Sequence, residues 1–135
     1  MNVFIVEDSE IVRNHMQSML SAIPGVDVVG YAVDEQGAIE RINELLPDVV
    51  TLDISLKPGS GISVLENIKK QHPEIKVIVL TNYTDDFSAN SCKRAGADFF
   101  FDKTFQFSRV RSALWSWINA EHIAGNPASL SSPGI

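Results

Sequence analysis

The chain has 135 residues, which is the size of a single domain. Hydrophobic residues make up 44% of it and charged residues 21%, a composition typical of a globular domain with one core. Eleven basic and 17 acidic residues give a net charge of −6, which disfavours direct binding to a nucleic-acid backbone. One cysteine, no signal-peptide pattern and no apolar run near the ~20 residues of a membrane span predict a cytoplasmic domain that neither crosses nor binds a membrane.

Five short runs of β-branched and aromatic residues predict the strands. They are Val3–Val6, Val28–Val33, Val49–Leu52, Val77–Leu80 and Phe99–Phe101. Each run is nearly continuous and does not alternate with polar residues, which is typical of strands covered on both faces of a parallel sheet.

Segments with helical periodicity separate these runs. Helices are predicted after Ser9, from Asp34 to Pro47, from about Ser60 to His72, from Asp85 to Ala95 and from about Phe107 to Glu121. Their inward faces are expected to be formed by Val12, Met16, Met19, Leu20 and Ile23; by Ala38, Ile39, Ile42, Leu45 and Leu46; by Leu65 and Ile68; by Phe87 and Cys92; and by Phe107, Val110, Leu114, Trp117 and Ile118. The alternation predicts one α/β domain, with a parallel sheet between two layers of helices.

Two features at the end of the chain stand apart from this pattern. Trp115 lies about 100° or more from the apolar stripe of the last helix, so we expect it to be exposed. We also expect it near the surface of the fourth helix, fifth strand and fifth helix. After Ala120 the sequence is rich in Ser, Pro and Gly, which predicts a flexible tail over residues 121–135.

Polar residues follow four of the predicted strands. Glu7 and Asp8 follow the first, Asp53 the third, Thr81 the fourth and Lys103 the fifth. In open parallel sheets, ligands bind beyond the carboxyl ends of the strands, so these residues are expected along one edge. A single Asp after a strand is more often a helix cap or turn residue. Crowded carboxylates, however, require a neutralising cation, and oxygen ligands of this kind suit Mg²⁺.

Six short motifs make the chain resemble the response-regulator receiver domains, the phosphoacceptor domains of two-component signalling. They are Val-Glu-Asp-Ser at 6–9, Leu-Asp-Ile at 52–54, Gly at 61, Leu-Thr at 80–81, Ala-Gly-Ala-Asp at 95–98 and Phe-Asp-Lys at 101–103. Each motif is weak alone, but their order and spacing are specific. The resemblance covers residues 1–120 and implies a flavodoxin-like doubly wound sheet of strand order 2-1-3-4-5, with five helices on both faces.

The resemblance also implies a phosphorylation site with a bound metal. Asp53 would be the phosphoacceptor. Asp8 would bind Mg²⁺ directly and Glu7 through water, with Asp53 and the backbone carbonyl of Ser55 as further ligands.

Three more residues acquire roles from the resemblance. Lys103 would neutralise charge on the transferring phosphoryl group, and Thr81 would donate a hydrogen bond to that group once bound. Phe100 would be the aromatic switch, and two of the three residues 99–101 are expected to be ordinary core.

The resemblance implies partners as well. A sensor histidine kinase or histidine phosphotransfer protein would supply the phosphoryl group. A downstream protein target would then bind the surface of the fourth helix, fifth strand and fifth helix, which is also a candidate homodimer surface. Catalysis would be limited to the domain's own phosphorylation and dephosphorylation.

Three positions depart from the family pattern. Thr104 stands where Pro is usual, so the bond after Lys103 is either trans or a strained cis bond. Lys57 stands where Pro is common, with Pro58 one place later, which leaves the path of that loop open. Asn82 stands where a small residue is usual, and we expect it to narrow access to Asp53 and to slow phosphorylation and hydrolysis.

Other functions remain as alternatives. A small phosphohydrolase with an Asp nucleophile would need a second Asp two residues later, where this chain has Ser55, and its nucleophile would follow the first strand. A flavin carrier would need a phosphate-binding loop after the first strand, where Glu7 and Asp8 would repel phosphate. A degenerate receiver is disfavoured because all the acceptor residues are present. The chain could be a stand-alone regulator or the receiver fragment of a longer, effector-containing one.

Overall fold

The computed structural model describes residues 1–56, 59–82, 85–104 and 106–125, the last five of them through the backbone alone. The strands within these ranges are β1 (Asn2–Val6), β2 (Asp27–Ala32), β3 (Val49–Leu52), β4 (Lys76–Thr81) and β5 (Phe99–Asp102). The helices are α1 (Glu10–Ser21), α2 (Glu35–Leu45), α3 (Gly61–Gln71), α4 (Asp86–Arg94) and α5 (Arg109–Gly125). Lys57 and Pro58, where the loop path was left open, lie outside the described residues.

The five strands form one parallel sheet in the order β2-β1-β3-β4-β5, which confirms the predicted topology. Successive residues of a strand point to opposite faces, so Phe4 joins one core layer and Ile5 the other. One layer lies beneath α2, α3 and α4, and the other lies beneath α1 and α5. Helices cover both faces, as the continuous apolar character of the strands predicted.

Four helices begin after capping residues, at the positions where the sequence predicts helix starts. The side chains of Ser9, Asp34, Ser60 and Asp85 accept hydrogen bonds from the backbone N–H groups three residues later. Each cap satisfies one of the free N–H groups that a helix start leaves exposed. Because each of these helices is the next element after a strand, its N-terminus lies at the carboxyl edge of the sheet.

Two parts of the predicted inward faces are exposed in the structure. Phe87 was predicted to face inward on α4, but its exposed fraction is 80%. It lies five residues before the buried Cys92, which is about 140° around the helix. Leu45 and Leu46 are also exposed. Leu45 covers Gly30 on β2, an edge strand that solvent reaches, and Leu46 has a left-handed backbone (φ 48°) that ends α2.

The last helix differs from its prediction at both ends. It begins at Arg109, and Phe107 precedes it, stacking on the His15 ring of α1 at a centroid distance of 4.7 Å. It continues to Gly125, so the first five residues of the predicted tail are helical, and residues 126–135 lie outside the described ranges. No helix in the described part of the chain is both long enough and apolar enough to cross a membrane.

Trp115 is 50% exposed, as predicted. It lines a cavity with Ile23, Pro24, Arg111 and Ser112, on the side of α5 that faces the end of α1. The cavity between α5 and β5 is lined by Phe99, Phe101, Arg109, Ser112, Ala113 and Ser116. An isolated helical wheel shows that a residue is exposed, but it does not show which neighbour lies beside it.

Candidate metal centre at the carboxyl edge of the sheet

Three of the candidate residues meet where β1, β3 and β5 end. Val6 pairs with Leu52, and the Asp53 N–H donates to the Val6 carbonyl at 3.0 Å, so Glu7 and Asp53 leave the sheet side by side. The Lys103 Nζ lies 2.7 Å from Glu7 Oε1 and 2.9 Å from Asp53 Oδ2. Residues 46 or more positions apart in sequence thus form one ion-paired group because parallel strands end at one edge.

Asp8 completes a group of three carboxylates. One oxygen from each of Glu7, Asp8 and Asp53 lies within 4.8 Å of the others. Glu7 and Asp53 are buried, whereas Asp8 is exposed. Among the described residues, one ammonium, that of Lys103, contacts this cluster of three acidic groups, so their charges alone leave the cluster negative. Closely spaced carboxylate oxygens with one side open to water are the donor set that Mg²⁺ takes in proteins, and these residues fit such an ion.

Burial and neighbouring charges shift the pKa values of Glu7 and Lys103. Burial raises the pKa of Glu7, and the negative charge of Asp53 acts in the same direction against the hydrogen bonds from Lys103 and the Ser9 N–H. For Lys103, burial acts to lower the pKa, but hydrogen bonds and attraction to Glu7 and Asp53 outweigh burial and raise it. The ammonium therefore stays charged at neutral pH, where it can stabilise negative charge beside Asp53.

The Asp53 carboxylate is held at both oxygens. Oδ1 accepts hydrogen bonds from the Ser55 N–H at 2.9 Å and the Ser55 Oγ at 2.7 Å, and Oδ2 accepts from Lys103. The expected role of Ser55 concerned its backbone carbonyl, and the hydroxyl contact was missed. The signal was available, because an Asp accepting from the residue two positions later is a common turn motif.

The remaining candidates flank this group. Thr81 is the last residue of β4 and fully buried, and its carbonyl accepts the Lys103 N–H at 2.9 Å. Phe100 is half-buried and packs against the core layer beneath α2–α4, while Phe101 is buried. Asn82 and Thr104, two of the departures from the family pattern, contact each other, with 3.4 Å between Oδ1 and Oγ1.

One residue near the site had no assigned role in the sequence. Arg13 of α1 donates from Nη1 to the Glu7 carbonyl at 3.1 Å, and its guanidinium lies 4.4 Å from the centroid of the Tyr31 ring. The sequence does show that an arginine lies one turn into the first helix, close to Glu7 and Asp8. Its contact with β2, however, depends on the three-dimensional fold.

Comparison with known proteins identifies the family. Residues 3–115 match the model of the response regulator receiver domain. The chain is 34% identical over 121 residues to the response regulator protein VraR of Staphylococcus saprophyticus, covering 90% of this chain and 58% of that protein. It is 35% identical over 112 residues to the DNA-binding transcriptional activator DevR/DosR of Mycobacterium tuberculosis, covering 83% of this chain and 52% of that protein. The chain therefore spans somewhat more than half the length of these relatives.

A solved structure supports the same conclusion. The response regulator domain of Thermotoga maritima CheB superposes with a TM-score of 0.77 at 31% identity, covering 89% of this chain and 94% of that domain. The parallel sheet, its strand order and the family match over most of the chain agree with one another. The chain belongs to the response regulator receiver domains of two-component systems.

Proposed function

We propose that Asp53 accepts a phosphoryl group in a Mg²⁺-dependent reaction and that the resulting acyl phosphate changes a partner-binding surface. The observation that carries the proposal is the position of the buried Asp53 carboxylate, in contact with the Lys103 ammonium and within 4.8 Å of carboxylate oxygens of Glu7 and Asp8. A buried carboxylate with a fixed orientation and a neighbouring cation is suited to nucleophilic attack on a phosphorylated donor.

The chemistry requires one bond to form and one to break. A carboxylate oxygen of Asp53 bonds to phosphorus as the bond from phosphorus to the donor breaks, and the leaving group takes that electron pair. Negative charge is spread over the phosphoryl oxygens during transfer, and Lys103 lies close enough to stabilise it. Thr81, at the adjacent end of β4, is proposed to donate a hydrogen bond from its hydroxyl to the phosphoryl group once that group is bound.

Mg²⁺ fits the solvent-exposed side of the cluster formed by the carboxylates of Glu7, Asp8 and Asp53. We propose that Asp8 and Asp53 bind it directly, Glu7 through water and Ser55 through its backbone carbonyl. The bound ion would neutralise charge on the transferring phosphoryl oxygens. Among the described residues, the exposed Asp8 carboxylate makes no hydrogen bond or ion pair, which supports its direct role.

The proposed partners follow from this chemistry. A histidine kinase or a histidine phosphotransfer protein would donate the phosphoryl group in the cytoplasm, and a protein target would receive the signal from residues 1–120. The net charge of −6 argues against direct nucleic-acid binding by this domain. DevR/DosR is described as a DNA-binding activator, and the match covers only 52% of its length, so an attached effector domain is one proposed output and a separate protein target is the other.

The test is phosphorylation of the wild-type chain by acetyl phosphate, followed by intact-mass spectrometry. We expect a single phosphoryl group per chain with Mg²⁺ and none with EDTA. The three clustered carboxylates repel the negatively charged donor unless Mg²⁺ neutralises them. Equal labelling in EDTA, or no labelling with Mg²⁺, would contradict the proposal.

The two acidic residues after β1 are expected to contribute unequally to Mg²⁺ binding. Among the described residues, no hydrogen bond or ion pair engages the Asp8 carboxylate, whereas both oxygens of Glu7 are engaged. Asp8→Asn should weaken Mg²⁺ binding by about 10-fold or more and Glu7→Gln by about 2- to 3-fold. Calorimetric titration with Mg²⁺ measures both, and the reverse order would refute the assignment of Asp8 as the direct ligand.

Phosphorylation is expected to change amide exchange mainly in residues 82–106. Helix α4 contributes one fully buried residue, Cys92, to the core, so it has few apolar contacts to hold it. The phosphoryl group adds about −1.5 to −2 charge beside Thr81, the last residue of β4, and Lys103, the residue after β5, and α4 connects these two strands. Hydrogen exchange with beryllofluoride and Mg²⁺ tests this, and Thr81→Ala should still be phosphorylated but lose much of the change. A uniform change, or one centred on residues 9–45, would exclude this output route.

A further inference from the structure

The backbone that carries Glu7 and Asp8 is held in place by residues that do not belong to the proposed Mg²⁺ site. The Glu7 N–H donates to the Ala32 carbonyl at the end of β2, at 3.0 Å. The Glu7 carbonyl, which lies beyond the last residue of β1, accepts from Arg13 Nη1 at 3.1 Å. Both polar groups of the Glu7 backbone are therefore held, one by β2 and one by α1.

Arg13 is itself seated on β2. Its guanidinium carbon lies 4.4 Å from the centroid of the Tyr31 ring, a cation–π geometry, and Tyr31 directly precedes Ala32. The end of β2 thus acts on Glu7 twice, through the Ala32 carbonyl and through the arginine that Tyr31 supports. The contact gives the half-exposed Tyr31 ring on the edge strand β2 a structural role, because the ring restricts where the guanidinium can lie.

The Glu7 carbonyl and the Asp8 nitrogen belong to one planar peptide group. Fixing the carbonyl direction therefore fixes the plane from which the Asp8 Cα and its carboxylate project. In the described part of the chain the Asp8 side chain has no hydrogen bond or ion pair of its own, so its direction depends on its backbone. A wrongly turned peptide here would move the Asp8 carboxylate away from Asp53.

We propose that Arg13, supported by Tyr31, is a positioning residue for the metal-binding carboxylate of Asp8. The inference rests on the proposed function, because it assigns Arg13 to the same Mg²⁺ site. Arg13 touches neither the ion nor the phosphoryl group, and it acts through the peptide between Glu7 and Asp8. Its planar guanidinium both stacks on the ring and donates to the carbonyl, and an ammonium reproduces this combination poorly.

The test is calorimetric titration of the folded protein with Mg²⁺ alone. Arg13→Gln and Arg13→Lys should each raise the Kd for Mg²⁺ by about 3- to 10-fold, which is less than the roughly 10- to 100-fold cost of losing a group that holds a metal ligand directly, because Arg13 acts through a peptide. Tyr31→Phe keeps the ring and should stay within about twofold of wild type, whereas Tyr31→Leu removes it and should weaken binding by about 2- to 3-fold. Arg41→Gln is the matched control, because Arg41 also lies against β2, with Nη2 3.1 Å from where a side chain at Gly30 would begin.

A second measurement separates positioning from a general loss of structure. In the Asp8→Asn background, Arg13→Gln should weaken Mg²⁺ binding no further, because the group it orients is already gone. Additive effects, or an Arg13→Gln Kd within twofold of wild type, would overturn the inference. If Arg13→Gln fails to fold, the titrations of Arg13→Lys and Tyr31→Leu replace it. A Kd within twofold of wild type for both variants would then overturn the inference. Failure of the wild type to bind Mg²⁺ would instead refute the proposed function and the inference with it.

Discussion

Replacing Lys103 with methionine is expected to slow phosphorylation of the chain by acetyl phosphate by about 10²- to 10³-fold, the usual cost of removing one fixed group that stabilises transition-state charge. The Lys103 Nζ lies 2.9 Å from Asp53 Oδ2, next to the atoms that gain the phosphoryl group. Methionine preserves much of the length of the side chain but supplies no charge. Mass spectrometry over time after donor addition gives the rate.

The same substitution is expected to leave Mg²⁺ binding intact or to strengthen it severalfold. The Lys103 ammonium is ion-paired with Glu7 Oε1 and Asp53 Oδ2. Its removal therefore frees two carboxylate oxygens and takes away a positive charge that competes with Mg²⁺. Slower phosphorylation with undiminished Mg²⁺ binding therefore distinguishes loss of charge stabilisation from collapse of the site. Lys93→Met, at the exposed end of α4, is the control and should change neither quantity. Equal losses in rate and in Mg²⁺ affinity would contradict the role given to Lys103.

Gly61→Ala is expected to destabilise the fold by about 3 kcal/mol or more, the upper range for overpacking. A Cβ at this position would lie 2.3 Å from the Ile54 Cα and 2.5 Å from the Asp53 carbonyl oxygen. Both are backbone atoms directly after β3, so neither can move without displacing the segment that carries Asp53. The glycine is therefore required for close approach of the α3 N-terminus to the site.

Urea unfolding measures this effect against a second glycine. A Cβ at Gly37, in α2, would lie 2.9 Å from Asp34 Oδ1, the end of a side chain that can shift slightly and still accept its cap hydrogen bond from the Gly37 N–H. Alanine also favours the helix, so Gly37→Ala should change stability by less than about 1 kcal/mol. Equal unfolding midpoints for the two variants would show that the contact at Gly61 is relieved cheaply, against our account.

The sequence predicted the sheet well because local and global signals agree there. Each strand bound lies within one residue of its prediction, since the runs of apolar residues coincide with strands buried on both faces. Ser9, Asp34, Ser60 and Asp85 mark helix starts through contacts with residues three positions away, which a sequence shows directly. Glu7, Asp53 and Lys103 could be placed on one edge because the topology alone brings strand ends together.

Contacts that depend on side-chain direction were not predictable in the same way. Phe87 faces solvent because α4 is short and places Cys92 inward, and a sparse apolar pattern does not fix the rotation of a helix. The contact of Arg13 with Tyr31 joins α1 to β2, and the position of Trp115 depends on the packing of α5 near the end of α1. Each of these is set by the distance and angle between elements, which residue spacing along one element does not contain.

Locating the phosphoryl group on the chain tests directly whether Asp53 is the phosphoacceptor. After reaction with acetyl phosphate and Mg²⁺, borohydride reduction converts an acyl phosphate to a stable alcohol, which peptide mass spectrometry assigns to a residue. We expect the modified residue to be Asp53, with no labelling of Asp53→Asn and normal labelling of Asp85→Asn, whose carboxylate is exposed at the start of α4. Modification at another acidic residue in the wild type, or undiminished labelling of Asp53→Asn, would contradict the account.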